Sequence, residues 1–144
     1  MDTLLFVVLA LVPVLVLLVL AILWVRRTSG RGRAAVTALG VDRQETANSL
    51  GYTSLGKSQV RGNCTLGLDD RRLVIAQWVP ARTTEIPFDR IVEVDTARTH
   101  LGKWVGRDLL RVRFRREDGS EDDVALVVRD VPGWVDDLRR RIGR

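Results

Sequence analysis

The chain has 144 residues, 46% hydrophobic and 28% charged, with a formal net charge of +5. Its charge lies in one part of the chain: Leu4 to Val25 has no charged, Asn, Gln, Ser or Thr residue, while all 23 Lys and Arg and 17 of the 18 acids lie between Arg26 and Arg144. Beyond the apolar head the chain is long enough for one small domain and too short for most multidomain enzymes, and its lone Cys64 and lone His100 exclude an intramolecular disulfide and a His/Cys zinc cluster.

The run Leu4 to Val25 is 22 residues, which as a helix rising ~1.5 Å per residue matches the ~30 Å hydrocarbon core of a bilayer. Pro13 is tolerable there as a kink, and Trp24 stands at the end where an interfacial aromatic belongs. The three preceding residues carry an acid and no Lys or Arg, and the run is longer than the apolar core of a signal peptide. Residues 1–25 therefore read as an uncleaved transmembrane anchor. Arg26, Arg27, Arg31 and Arg33 follow at once. By the positive-inside rule they place the carboxyl-terminal body in the cytoplasm and the amino terminus outside, in a single-pass protein of the plasma membrane. The same arginines suit contact with anionic lipid headgroups; the plainer reading is that they only set topology.

Residues 26–50 read as a basic juxtamembrane linker. Thr28 to Arg33 is polar and contains glycine, and a short helix is expected over Asp42 to Leu50, closed by Gly51. Residues 51–144 read as the folded domain. From about Val60 short β-type runs alternate with turn signals: Leu66 and Leu68 before Asp69-Asp70, then RLVIAQWV, then Glu85 to Phe88 and Ile91 to Val94, with Pro87 confining its segment to an edge or a strand end.

LLRVRFRR and EDDVALVV then face each other across Arg116-Glu117-Asp118-Gly119, a type I turn with Gly119 as a left-handed bulge residue. That turn sets Val112 opposite Val124 and Leu110 opposite Leu126 on the core side. It sets Arg113 opposite Asp123 and Arg115 opposite Glu121 on the outer side, leaving Arg111 opposite Ala125 as a free cation. The chain closes with an amphipathic helix. Asp130 is its N-cap, Pro132 lies in its first turn and Gly143 is its stop; Val131, Val135, Leu138 and Ile142 form one stripe with Trp134 beside it, and Asp136–Arg140 and Asp137–Arg141 pair on the wet side.

Two segments carry a resemblance to a known family. Gly67 to Ile75 (GLDDRRLVI) resembles the strand, turn and strand of bacterial pleckstrin-homology-like (PH-like) and GRAM-like domains, and Glu85 to Val94 (EIPFDRIVEV) resembles their I-P-x-x-x-I-x-x-V segment. Gly102 to Asp108 and the strand Leu110 to Phe114 look like small actinobacterial membrane-anchored members. The resemblance covers roughly Gly62 to Ile142. It implies a mainly β, PH-like barrel or sandwich capped by a carboxyl-terminal amphipathic helix, behind one transmembrane helix. It also implies binding of lipids or proteins in place of catalysis. The charge-balanced loop Asp69-Asp70-Arg71-Arg72 departs from the basic loop of phosphoinositide-binding members, so that specificity is not carried over.

Three motifs bear on function. Gly51 to Ser58 (GYTSLGKS) matches the phosphate-binding pattern G-x-x-x-x-G-K-S, but no hydrophobic strand is expected before it and no helix after it. Arg98 to Arg107 carries Arg98, Lys103 and Arg107 without an acid, two glycines, and Trp104 in a loop between strands. Together with Arg111 this segment is the candidate contact for a membrane or a partner, unless Trp104 folds onto the core. The acidic tip from Glu117 to Asp123 lacks the spacing of a calcium loop.

The expectation is a non-enzymatic, membrane-anchored binding or scaffolding module. It has no catalytic residue, metal or cofactor, and its partners are the bilayer through residues 4–25, anionic headgroups and an unidentified membrane or cytoplasmic protein. Nucleic acid is not among them, because no basic stripe or stacking aromatic pair is present. The alternatives are an accessory subunit or assembly factor of a membrane complex and, third, a P-loop nucleotide binder.

Overall fold

The computed structural model describes residues 2–143. A long helix, α1 (Asp2–Ala38), leads into seven strands: β1 (Arg43–Tyr52), β2 (Gly62–Leu68), β3 (Arg72–Gln77), β4 (Arg82–Pro87), β5 (Ile91–His100), β6 (Lys103–Arg115) and β7 (Glu121–Val127). A second helix, α2 (Val131–Ile142), ends the chain. The strands form one curled antiparallel sheet, a half-barrel in the order β4-β3-β2-β1-β7-β6-β5, so that β4 and β5 are its edges. Pro87 ends edge strand β4, where its missing N–H breaks no ladder.

The main core fills the concave face. Leu66, Leu68, Leu73, Ile75, Ile86, Val94, Leu110, Val112, Val124 and Leu126 point inward, and α2 closes over them with Val131, Trp134, Val135 and Leu138. The stripe expected on this helix is the buried one, with Ile142 half-buried beside it. Asp130 caps the helix by accepting the Gly133 N–H at 3.0 Å. On the other side Asp137 pairs with Arg141 at 3.2 Å as expected, whereas the Arg140 guanidinium meets Asp137 and the Asp136 carbonyl oxygen instead of the Asp136 carboxylate.

The β6–β7 hairpin has the expected register: Leu110 faces Leu126, Val112 faces Val124, Arg113 faces Asp123 and Arg115 faces Glu121. Gly119 has φ 83°, and Arg116 and Ser120 close the turn at 2.7 Å. Arg111 faces Ala125 but is not free. Its guanidinium forms a two-point ion pair with Asp95 on β5, because β5 lies on the other side of β6 at that register.

Two expectations for residues 26–50 are overturned. Thr28 to Arg33 is not a linker, since α1 runs through it to Ala38. Side chains help the helix past the bilayer-length run: the Thr28 hydroxyl donates to the Trp24 and Val25 carbonyls, and Ser29 donates to Arg26.

Nor is Asp42 to Leu50 a helix; it lies mostly in β1, paired with β2 and β7. Its inward positions carry polar groups that α2 satisfies. Glu45 accepts from Trp134 Nε1 at 2.8 Å, and the Arg43 guanidinium lies 4.0 Å from the Trp134 ring centroid. A strand whose buried face is built from partners far along the chain shows no apolar alternation of its own.

The convex face is also covered. The last turns of α1 lie on β2 and β3, where Val36 packs with Val74 and Ala76, flanked by Leu39 and Val41. Backbones come close there because of two glycines. A Cβ on Gly32 would overlap the Trp78 indole and lie 3.2 Å from Thr65 Oγ1, and one on Gly67 would overlap Val36 Cγ1. Moving from Gly32 to Val36 thus moves from Thr65 to Gly67, so α1 runs parallel to β2. Gly62 lies ~10 Å before Thr65 along β2, so α1 passes that end of the sheet near Val25 and its apolar run projects beyond it.

Candidate functional site

The β5–β6 hairpin is longer than the sheet it belongs to. Its two-residue tip, Leu101-Gly102, has φ 51° and 73°, the pair of positive angles that a type I′ turn requires. Below the tip the register shifts: Ala97 faces Leu109, but Thr99 already faces Trp104, so Val105 to Asp108 stand opposite a single residue. This wide bulge bends the hairpin over the convex face. There Leu109 packs with Leu50 of β1 and Ala125 of β7, with Ala97, Val105 and Val127 alongside.

The bend brings the tip to the end of β1. His100, almost fully buried, lies with Nε2 2.9 Å from the Gly51 carbonyl oxygen, which places the proton of the neutral ring on Nε2. Burial pushes the His100 pKa below the ordinary histidine value, against the opposing effects of that carbonyl and of Asp123. A Cβ on Gly102 would lie 3.7 Å from Lys57 Nζ. Lys57 and Lys103, the only lysines in the chain, thus come from distant segments to one tip.

The sequence-derived residues divide as follows. Trp104 does not fold onto the core: it is 70% exposed, on β6 two residues past the tip instead of in a loop. Lys103 and Arg107 are exposed, and neither enters an ion pair among the described residues. Arg98 is exposed too, but its charge is compensated by Asp108 at 3.6 Å, one residue beyond the acid-free segment. A shallow depression between them is lined by Arg98, Trp104, Gly106, Arg107 and Asp108. Arg111 is removed from the site by its pair with Asp95, which raises its pKa. Arg26, Arg27, Arg31 and Arg33 are exposed along α1 and have no acidic partner among the described residues.

Sequence reasoning placed Lys57 in a phosphate-binding motif. The segment before that motif is a strand after all, β1, but the rest of the geometry is wrong for a phosphate cradle. Tyr52 N–H donates to Gln59 Oε1, Ser54 N–H to Asp122 Oδ1, and Gly56 N–H to the Thr53 carbonyl. The loop contains a single 3-10 turn (Thr53–Leu55), and β2 follows in place of a helix. Backbone donors that would have to face a phosphate are already spent inside the loop.

Among the described residues no group of three or more His, Cys, Asp or Glu side chains is placed to hold a metal ion. Cys64 is fully buried in the main core, and burial pushes its thiol up to about 12, so it is chemically inert in the folded chain. Residues Val7–Ala38 form a helix long and apolar enough, by length and composition, to cross a membrane. No protein-family model matches the chain, and no curated protein does.

Proposed function

We propose that this chain is a single-pass membrane protein whose body is a PH-like, non-enzymatic binding module held on the cytoplasmic face of the plasma membrane. The observation that carries the reading is the continuity of α1. The apolar run passes without a break into the turns that pack on β2 and β3. From Val25 to Gly32 the helix climbs only about 10 Å. A bilayer around the run therefore lies directly against the sheet domain.

The strand order, the edge positions of β4 and β5 and the closing α2 agree with the PH-like resemblance of Gly67 to Ile75 and Glu85 to Val94. The four exposed arginines after the run favour a cytoplasmic body. Binding is favoured over catalysis by the site itself: its exposed groups are a Trp, cations and Asp108, whose carboxylate faces Arg98, and its one histidine is buried and hydrogen-bonded to a backbone carbonyl.

Three measurements test this. The chain should resist carbonate extraction from membranes, and a carboxyl-terminal tag should be protected from protease added to intact cells. Cross-linking followed by detergent solubilisation and pull-down should recover partners in variable amounts for a binding module. Recovery of one set in fixed ratio would instead mark an accessory subunit of a membrane complex.

A further inference from the structure

The two edges of the half-barrel are protected differently. Edge β5 is covered: Arg139 of α2 donates from Nε and Nη2 to the Val94 carbonyl, at 3.0 and 2.8 Å, and the pairing of β5 with β6 shifts register twice. Edge β4 keeps an unbroken register with β3 from Arg82 to Pro87, and among the described residues no group outside β3 bonds its backbone. The Phe88 N–H donates to the Arg71 carbonyl at 2.9 Å, which makes Arg71 and Phe88 a hydrogen-bonded pair in line with that register. Counting back by two, Leu73–Ile86, Ile75–Thr84 and Gln77–Arg82 exchange bonds across the ladder. Thr83 and Glu85 lie between them, so their N–H and C=O groups point away from the sheet, together with the Pro87 carbonyl. An extended chain laid along β4 would find donors and acceptors at ladder spacing.

Such a chain would also fill a groove. Between β4 and the end of β6 lies a cleft whose base is Ile86 and Phe114, both buried core residues, and whose rim carries Arg82, Arg90, Arg115 and Arg116. Two acids line it as well, and each is engaged: Glu85 with Arg72, and Glu117 with Arg90 at 3.5 Å. The neighbouring acids of the β6–β7 hairpin are held too, Asp118 by Ser120, Asp122 by Ser54 and Asp123 by Arg113. Arg115 reaches Glu121 only at 3.9 Å, and Arg82 and Arg116 enter no ion pair among the described residues. The cleft thus joins an apolar base to a rim with more cations than acids. Arg82, Thr84 and Ile86 alternate with the outward-bonding residues, and an added strand would turn every second side chain into the cleft with them.

A second copy of the chain does not suit this edge. Two β4 strands related by a twofold axis pair antiparallel. Since β4 runs parallel to β2 and hence to α1, the α1 of the second copy would point the opposite way, and the two anchors could not enter one membrane from the same side. We infer that β4 is a strand-addition site for an extended segment of a partner protein, one that turns acidic and apolar side chains toward the groove. Backbone bonds to Thr83 and Glu85 would hold the segment, and the arginine rim would select its charge. The inference deepens the binding-module reading above and rests on the membrane anchor only in setting aside the second copy.

The test uses the full chain in phosphatidylcholine nanodiscs and a fluorescent, end-blocked peptide, Glu-Thr-Val-Thr-Glu-Thr-Val, whose Glu and Val side chains share one face. Bound as a strand with that face in the groove, the peptide presents its Thr N–H groups to β4. Anisotropy should show saturable binding. Methylation of the Thr nitrogens should weaken it by at least about tenfold, and methylation of the Val nitrogens should not. Thr83→Pro removes an outward donor and no bond to β3, so it should match that loss while keeping a urea midpoint close to wild type. Arg82→Glu with Arg116→Glu should weaken this peptide and favour its Lys-for-Glu counterpart.

No saturable binding to the wild-type chain, or binding indifferent to Thr methylation, overturns strand addition. Equal binding of the Lys counterpart by the wild-type chain overturns the acidic partner. A dimer of the chain in detergent that Thr83→Pro dissolves makes a second copy the occupant and overturns the partner assignment. The anchor is read separately by carbonate. A chain that carbonate extracts, yet that binds the peptide as described, loses the membrane reading and keeps the strand site; a chain that resists carbonate and binds no peptide does the reverse.

Discussion

Gly32 of α1 meets Trp78 so closely that a single added Cβ would overlap the indole ring, whose Nε1 donates to Thr65 at 3.0 Å. The glycine that looks like a linker residue in the sequence is the contact point that joins the long helix to the sheet. Gly32→Val and Gly67→Val should each cost about 1–3 kcal/mol by overpacking this seam. Gly30, with nothing within 4 Å of its Cβ direction, is the control. Gly30→Ala should stabilise the helix by up to ~1 kcal/mol. Urea unfolding of the full chain in detergent separates the two signs.

Trp134 is the centre of the contact between α2 and β1. Its ring is fully buried, its Nε1 donates to Glu45 Oε2, and the other Glu45 oxygen accepts the Arg129 N–H at 2.7 Å. Glu45→Ala would leave a buried indole N–H and a backbone N–H unpaired, at about 1–3 kcal/mol for an unsatisfied group. Glu45→Gln keeps an acceptor and should lose less than Glu45→Ala. Trp134→Ala, which also empties the space over β5 and β6, should cost about 3–5 kcal/mol. Near-ultraviolet circular dichroism, which follows the packed ring, reads all three in denaturant titrations.

What was legible in the sequence was local pairing. The Val112–Val124 and Arg113–Asp123 partners follow from one turn and an alternation of two, and the α2 stripe follows from a period of 3.6. What was not legible depended on contacts across the fold. Arg111 appears free when only β7 is considered and is paired once β5 is placed on its other side. Glu45 and Arg43 look like a polar segment until Trp134, far along the chain, arrives to use them. The candidate site shows the same limit. Trp104 and Lys103 stood out by type and spacing, but Lys57 joins them only because an irregular register folds the β5–β6 hairpin back to the end of β1.

The phosphate-loop match at Gly51 to Ser58 has a direct check. Asp122, buried beside the loop, accepts from both Ser54 N–H and Ser54 Oγ, and Gln59 bonds the Tyr52 backbone on both sides. Opening the loop around a nucleotide would break these bonds with no gain in secondary structure. Isothermal titration of the full chain with magnesium ATP should therefore give no heat of binding, and Lys57→Ala should not change the trace. Binding that Lys57→Ala abolishes would reverse this reading of the loop.

His100 makes the folded-back hairpin sensitive to pH in a defined direction. Burial holds its pKa below the ordinary value of 6.5 in the folded chain. Between that lowered value and 6.5 the unfolded chain binds a proton that the folded chain refuses, so stability is fully present above 6.5 and declines as the pH falls below it. The shifted carboxylates act elsewhere. Burial would raise Asp137, but hydrogen bonds from Arg141 and Arg43 hold it below the ordinary value of 3.8, and Asp69 and Asp118 are also lowered, so their contributions fade only at more acidic pH. The urea midpoint should thus decline between about pH 7 and 5, the range in which only histidine changes charge. His100→Gln, which can still donate to the Gly51 carbonyl, should flatten that decline. A wild-type midpoint that is constant through this range, or a decline of equal size in His100→Gln, would show that the ring does not couple hairpin docking to pH.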